Sequence, residues 1–172
     1  MTSPSLVWAP AYPENPKRFV YREPERKTRL AAAYDLYLQS FELLAPGEVT
    51  TIDLGLLCAM PEDERAIFGM RSGLAKQYGF KVLGGWIDAD YDQSWKLMIS
   101  VPPQDIRNDD RCYDDPTAGC SFLRFEAGER IAQVKFEKVP AHTPRTGSKD
   151  EVLQIIRGYQ SNRTGGFGST GS

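Results

Sequence analysis

Ala66-Ile67-Phe68-Gly69-Met70-Arg71-Ser72-Gly73-Leu74-Ala75-Lys76-Gln77-Tyr78-Gly79-Phe80-Lys81-Val82-Leu83-Gly84-Gly85 sets the rhythm of the whole chain. Residues 66–70 read as a strand. Residues 72–78 open on a serine able to cap a helix and close before Gly79, so they read as a short helix. Residues 80–83 are a second strand, ended by paired glycines. Outward from this stretch, short runs rich in Val, Ile, Leu, Phe and Tyr keep alternating with turn residues, and 12 prolines and 15 glycines punctuate the chain. Further strands are expected at 6–8, 34–39, 48–60, 97–101, 121–125 and 130–139. Many short strands at this spacing predict an all-β sandwich or barrel. One more helical spacing, with apolar residues at 152, 155, 156 and 159, runs over 150–159.

The 172 residues are 41% hydrophobic and 26% charged, enough to bury a core, which argues against wholesale disorder. No apolar run approaches the ~20 residues of a membrane-spanning helix. The first ten residues have neither the basic segment nor the apolar run of a secretory leader, so the expected location is the cytoplasm. Cys58, Cys112 and Cys120 are odd in number and widely spaced, which argues against a disulfide framework. With His142 the single histidine, a zinc tetrad is not supplied. A net charge of −2 leaves no footprint for duplex nucleic acid, so any polyanion must be held by a few placed groups. The expected organisation is an N-terminal arm and first strand (1–30), a β-barrel core (31–140) and a C-terminal arm (141–172). Inside the core, the polar residues 101–124 include Asn108-Asp109-Asp110-Arg111 and are too hydrophilic for an interior, so an excursion is expected at about 104–119. The glycine-rich end, 165–172, carries an aromatic residue that asks for a docking site.

Three places look chemical. Gly84-Gly85-Trp86-Ile87-Asp88-Ala89-Asp90-Tyr91 sets glycines that allow close backbone approach beside Asp88. Flanked by Trp86 and Ile87, Asp88 could be a partly desolvated general base, but taken alone the segment reads more readily as a hairpin with a solvated acidic turn. Arg71-Ser72-Gly73 offers a guanidinium, a hydroxyl and backbone N–H groups to a phosphate, or is a surface arginine beside an ordinary cap. Gly165-Gly166-Phe167-Gly168-Ser169-Thr170-Gly171 reads either as a phosphate-cradling nest or as a disordered terminus. Gly128-Glu129-Arg130-Ile131-Ala132-Gln133 by itself is a turn entering a strand.

Together with Ala32-Ala33-Tyr34-Asp35-Leu36, these segments resemble, in order and spacing, the five motifs of the homotrimeric dUTPase family, from about residue 32 to residue 171. The resemblance implies a jelly-roll-like β-barrel with one short helix and a flexible C-terminal arm. It also implies a homotrimer with active sites at subunit interfaces, the arm of one subunit closing over a neighbour's site. The implied reaction is dUTP plus water giving dUMP and pyrophosphate, assisted by Mg²⁺. By the same resemblance Asp88 deprotonates the attacking water, Tyr91 lies against the deoxyribose, and Gly84 and Gly85 belong to the hairpin that reads uracil. Arg71, Ser72, Gly73 and Gln133 hold phosphates, and Asp35 places the metal through water. In the arm, Phe167 covers the uracil, Arg163 takes the γ-phosphate, and Gly168, Ser169 and Thr170 complete the phosphate contacts.

The chain departs from the family at several points. Ala33 replaces a glycine, Met70 stands where proline is frequent, and Asp92-Gln93-Ser94-Trp95 lengthens the turn after Tyr91. Arg163 sits one place nearer Phe167 than usual, about 3.5 Å of extended chain. Some phage-encoded relatives carry extra segments near the 104–119 excursion that bind protein partners, so the excursion is either such a surface or a solvated loop. Two other activities fit the same motifs. One is a related pyrimidine-nucleotide hydrolase or dCTP deaminase of the same fold, with base choice altered by Trp86; the other is a dUTPase-like, nucleotide-dependent regulatory binding protein.

Overall fold

The computed structural model describes residues 6–15, 20–117 and 120–158. They fall into two units divided between Pro140 and Ala141. The first holds β1 (Val7–Pro10), β2 (Tyr34–Tyr37), β3 (Glu42–Leu44), β4 (Val49–Asp53), β5 (Leu56–Ala59), β6 (Glu64–Met70), α1 (Ser72–Tyr78), β7 (Lys81–Leu83), β8 (Trp86–Ile87), β9 (Lys96–Ser100), β10 (Cys112–Asp115), β11 (Cys120–Phe125) and β12 (Arg130–Lys138). These form antiparallel sheets ordered β2-β12-β6-β8, β4-β9-β7, β10-β11-β3 and β1-β5 in a jelly-roll-like β fold.

The core is drawn from nearly every strand. Trp95 is fully buried, with Trp8 5.4 Å and Phe68 5.5 Å away edge to face. A second aromatic group stacks Tyr78 on Phe80 at 5.1 Å, with Phe125 against both. Such ring pairs add to the area they bury. Burial pushes the Cys58 thiol up to about 12, so it is an inert core group.

Several expectations change. The span 48–60 is two strands, because Gly55 at φ +60° turns the chain and its N–H is held by the Asp53 carboxylate at 2.9 Å. Ser72 does not cap α1: Arg71 occupies the cap position in extended conformation, with no side-chain capping bond, while Gly79 closes the helix at φ +69° as expected. β3, β8 and β10 were not anticipated. The first two have only three and two residues, and β10, Cys-Tyr-Asp-Asp, has no apolar run and is held by pairing with β11. The excursion is thus partly built into the barrel, and its Ile106 is buried.

The second unit contains α2 (Lys149–Gly158), one residue earlier than expected. Ser148 Oγ accepts the Glu151 N–H at 3.2 Å, and Val152, Ile155 and Ile156 are about half exposed.

Candidate active site

β12 sets the first group of site residues. Its register against β2 slips between Arg130 and Ala132, so Ile131 and Ala132 are both buried, and Arg130 and Gln133 both reach Asp35 on β2. Arg130 Nη1 donates to Asp35 Oδ2 at 3.1 Å and Gln133 Nε2 to Oδ1 at 3.0 Å. Arg71, where β6 gives way to α1, ion-pairs with Asp35 at 3.7 Å and donates to the Arg130 carbonyl at 3.1 Å. Asp35 therefore fastens Arg71, Arg130 and Gln133 together, with Ser72 and Gly73 following directly at the start of α1. The sequence assigns no role to Arg130; the bulge turns it toward Asp35.

Asp35 is 3% exposed. Burial, the largest single influence, acts to raise its carboxyl. The donors Gln133 and Arg130 and the charges of Arg130 and Arg71 outweigh it, leaving the group below its ordinary value. A depressed folded-state value stabilises the fold above the unfolded carboxyl's range, about 3.9, and that stabilisation is lost as pH falls through the lower folded value. Asp35→Asn is expected to cost about 2 kcal/mol at pH 7, since the two arginines lose their counter-charge while remaining partly solvated. In urea denaturation the gap from the native chain should narrow as pH falls through the lowered folded-state range of the carboxyl, where the native group is protonated too. A gap that stays constant throughout acid titration of the native chain would contradict the pairing.

The second group lies on the hairpin between β7 and β8. Gly84 and Gly85 adopt φ +68° and +96°, a region that favours glycine, and a Cβ on Gly85 would meet Val82 at 3.2 Å and Phe68 at 3.3 Å. The Gly85 carbonyl accepts the Phe68 N–H at 2.8 Å, which pins the turn to β6. Asp88 follows β8, and its carbonyl accepts the Tyr91 N–H at 3.2 Å. Asp88 is exposed in the single chain, as the solvated-hairpin reading has it and not the desolvated one: Ile87 turns inward while Trp86, 69% exposed, shares the outer face with Asp88. The Arg65 guanidinium lies 4.7 Å over the Trp86 ring. Asp88 borders an open cavity of about 480 Å³ that Glu62, Glu64, Arg65 and Asp90 also line. Tyr91 is 38% exposed, with its hydroxyl 3.5 Å from the Ser94 carbonyl.

β6 keeps the two groups apart. Ile87 pairs with Ala66, placing Asp88 beyond that point, whereas Arg71 lies five residues along in the other direction. At the rise of a β-strand the separation is about 20 Å, far outside hydrogen-bonding reach of a common atom. One chain thus brings together Asp35, Arg71, Ser72, Gly73, Arg130 and Gln133, and separately Gly84, Gly85, Asp88 and Tyr91. Arg163, Phe167, Gly168, Ser169 and Thr170 lie outside the described residues.

Among the described residues no three His, Cys, Asp or Glu side chains cluster as a metal cage. A magnesium ion carried mainly by phosphate oxygens and water requires none. Asp35 already accepts two hydrogen bonds, and a carboxylate has about four lone-pair sites, so it fits such an ion through water. No described helix is long and apolar enough to cross a membrane.

A family model described as dUTPase matches residues 21–108, ending inside the excursion. The deoxyuridine 5'-triphosphate nucleotidohydrolase of Thermobifida fusca is 33% identical over 142 residues, covering 81% of this chain and 67% of the relative. The corresponding protein of Camelpox virus is 30% identical over 162 residues, covering 91% and 94%. Among solved structures, a Staphylococcus bacteriophage 80alpha dUTPase variant with dUpNHpp superposes with TM-score 0.74 at 22% identity, covering 98% of this chain and 99% of that one. A dUTPase from phage phi11 of S. aureus, described with a structural Mg(II) ion, superposes with TM-score 0.67 at 20% identity, covering 86% and 99%.

Proposed function

Because this chain belongs to the dUTPase family and is a dUTP nucleotidohydrolase, we propose that it hydrolyses dUTP at composite sites, each taking its hairpin from one copy and its phosphate group from another. The supporting observation is the separation of about 20 Å along β6 between Asp88 and Arg71. A water held by Asp88 and a phosphate chain held at Arg71 meet readily at one α-phosphorus when different copies supply them. A homotrimer satisfies this with three equivalent interfaces. Facing a neighbour, Asp88 would also lose the exposure it has in the single chain.

In this reading the uracil lies along the Gly84–Gly85 turn, whose backbone a side chain would obstruct, and the Tyr91 ring packs on the deoxyribose. Asp88 accepts the proton of the attacking water as it adds to the α-phosphorus, and pyrophosphate leaves. Arg71, Ser72, Gly73 and Gln133 hold the phosphate oxygens, with Arg71 and Gln133 oriented beforehand by Asp35. When bound, Mg²⁺ supplies charge neutralisation on the triphosphate, and Asp35 would face it through water. Arg163, Phe167, Gly168, Ser169 and Thr170 are assigned to the lid that excludes solvent.

Pyrophosphate release in Mg²⁺, measured separately with dUTP, dCTP, dTTP and UTP, tests the base and sugar assignments. The expected result is strong preference for dUTP over all three. Comparable rates with dCTP or UTP would overturn the roles of the hairpin and Tyr91.

A further inference from the structure

A cavity of about 480 Å³ is lined by Arg22, Lys27, Arg71, Arg111 and Arg130, with Glu129. The cations come from four separate parts of the chain. Arg22 lies in the N-terminal arm, its guanidinium 3.8 Å over the Tyr37 ring and its Nη1 donating to the Gly128 carbonyl at 3.4 Å. Arg111 comes from the excursion. It donates to both Glu129 carboxylate oxygens, at 2.9 and 2.6 Å, and its guanidinium lies 4.3 Å over the Phe125 ring. The excursion is anchored there a second time, since Asp109 accepts both the Arg111 N–H at 2.8 Å and the Tyr78 hydroxyl of α1 at 3.3 Å.

Four carboxylates face these five cations: Glu129 on Arg111, Asp109 beside it, Asp35 between Arg71 and Arg130, and Glu25 on Arg22 at 3.4 Å. One positive charge remains in excess around a concavity of a chain whose net charge is −2. A concave wall of one sign concentrates counter-ions. Guanidinium groups already flattened on aromatic rings and fixed by carbonyls lose little freedom on meeting phosphate oxygens.

We propose that this basin is a polyphosphate subsite, completed by Arg22, Lys27 and Arg111, that receives a pyrophosphate group continuing from Arg71. The group is either free pyrophosphate product or the outer end of a bound nucleoside triphosphate. The subsite rests on the assignment of Arg71 to phosphate, and it gives the excursion a part in the enzyme's own chemistry through Arg111.

Titration calorimetry with inorganic pyrophosphate, which needs no turnover, tests the basin independently of the hydrolytic reading. Exposed Lys27→Met should weaken pyrophosphate binding about tenfold, the loss of one charge-assisted contact. Arg111→Lys, which keeps the charge but gives up the fork that Glu129 and the Phe125 ring hold in place, should weaken it by several-fold; its melting temperature should fall somewhat with the lost pairing, and far-UV circular dichroism like that of the native chain checks that both variants are folded. Binding of dUMP should not change. A parallel rise in the KM for dUTP identifies the substrate's outer phosphates as the occupant, and an unaltered KM identifies free product; either supports the subsite. Native-like affinity of both variants for pyrophosphate and dUTP would overturn it. Absence of dUTP turnover alongside the predicted pyrophosphate losses would instead sink the hydrolytic reading and leave the basin standing.

Discussion

Asp88→Asn should lower kcat for dUTP by about 10³-fold, within the range that a positioned general base contributes. The amide matches the carboxylate in size but cannot take a proton from water near neutral pH. Because Asp88 is exposed in the single chain and its side chain makes no ion pair among the described residues, the exchange should leave the fold's stability nearly unchanged. Affinity for dUTP should be kept or slightly increased, since one negative charge is removed from the neighbourhood of a triphosphate. The check is a split measurement: single-turnover hydrolysis for the rate and equilibrium titration with dUTP for binding. Native-like hydrolysis would remove Asp88 from the role of base, whereas loss of both binding and turnover would make it a binding group.

Local patterns carried the parts of this fold that local chemistry dictates. α1 was visible because Gly79 supplies the left-handed residue that ends it, and β12 because nine residues of strand character follow the turn at Gly128. Strands held by partners rather than by their own composition were not visible. β10 is polar and exists through β11, and β8 is two residues long and exists through β6. The same division runs through the site. The glycines of the hairpin and the Arg-Ser-Gly segment could be picked out as residue types, but the Asp35 network could not, since Arg130 and Gln133 lie 95 and 98 residues from Asp35 and converge on it through a bulge. Arg111 escaped notice as an isolated charge in a hydrophilic stretch; only its pairing with Glu129, 18 residues on, gives it a place. The exposure of Asp88 follows the solvated-turn reading, because flanking apolar residues on a strand point to alternate faces and Ile87 covers the core instead of its neighbour.

The most direct test of the composite site combines two inactive proteins. One carries Asp88→Asn and the other Arg71→Met with Ser72→Ala, so each damages a different end of β6. Mixed oligomers, formed by co-expression and isolated through a different tag on each chain, are then assayed for dUTP hydrolysis against the two parents. If each site joins the hairpin of one copy to the phosphate group of another, every mixed trimer, whichever chain is in excess, has one of its three sites with both ends intact, and activity should return to about a third of native. Mixed oligomers no more active than their parents would show that both ends of one site belong to the same chain, and would contradict the shared site.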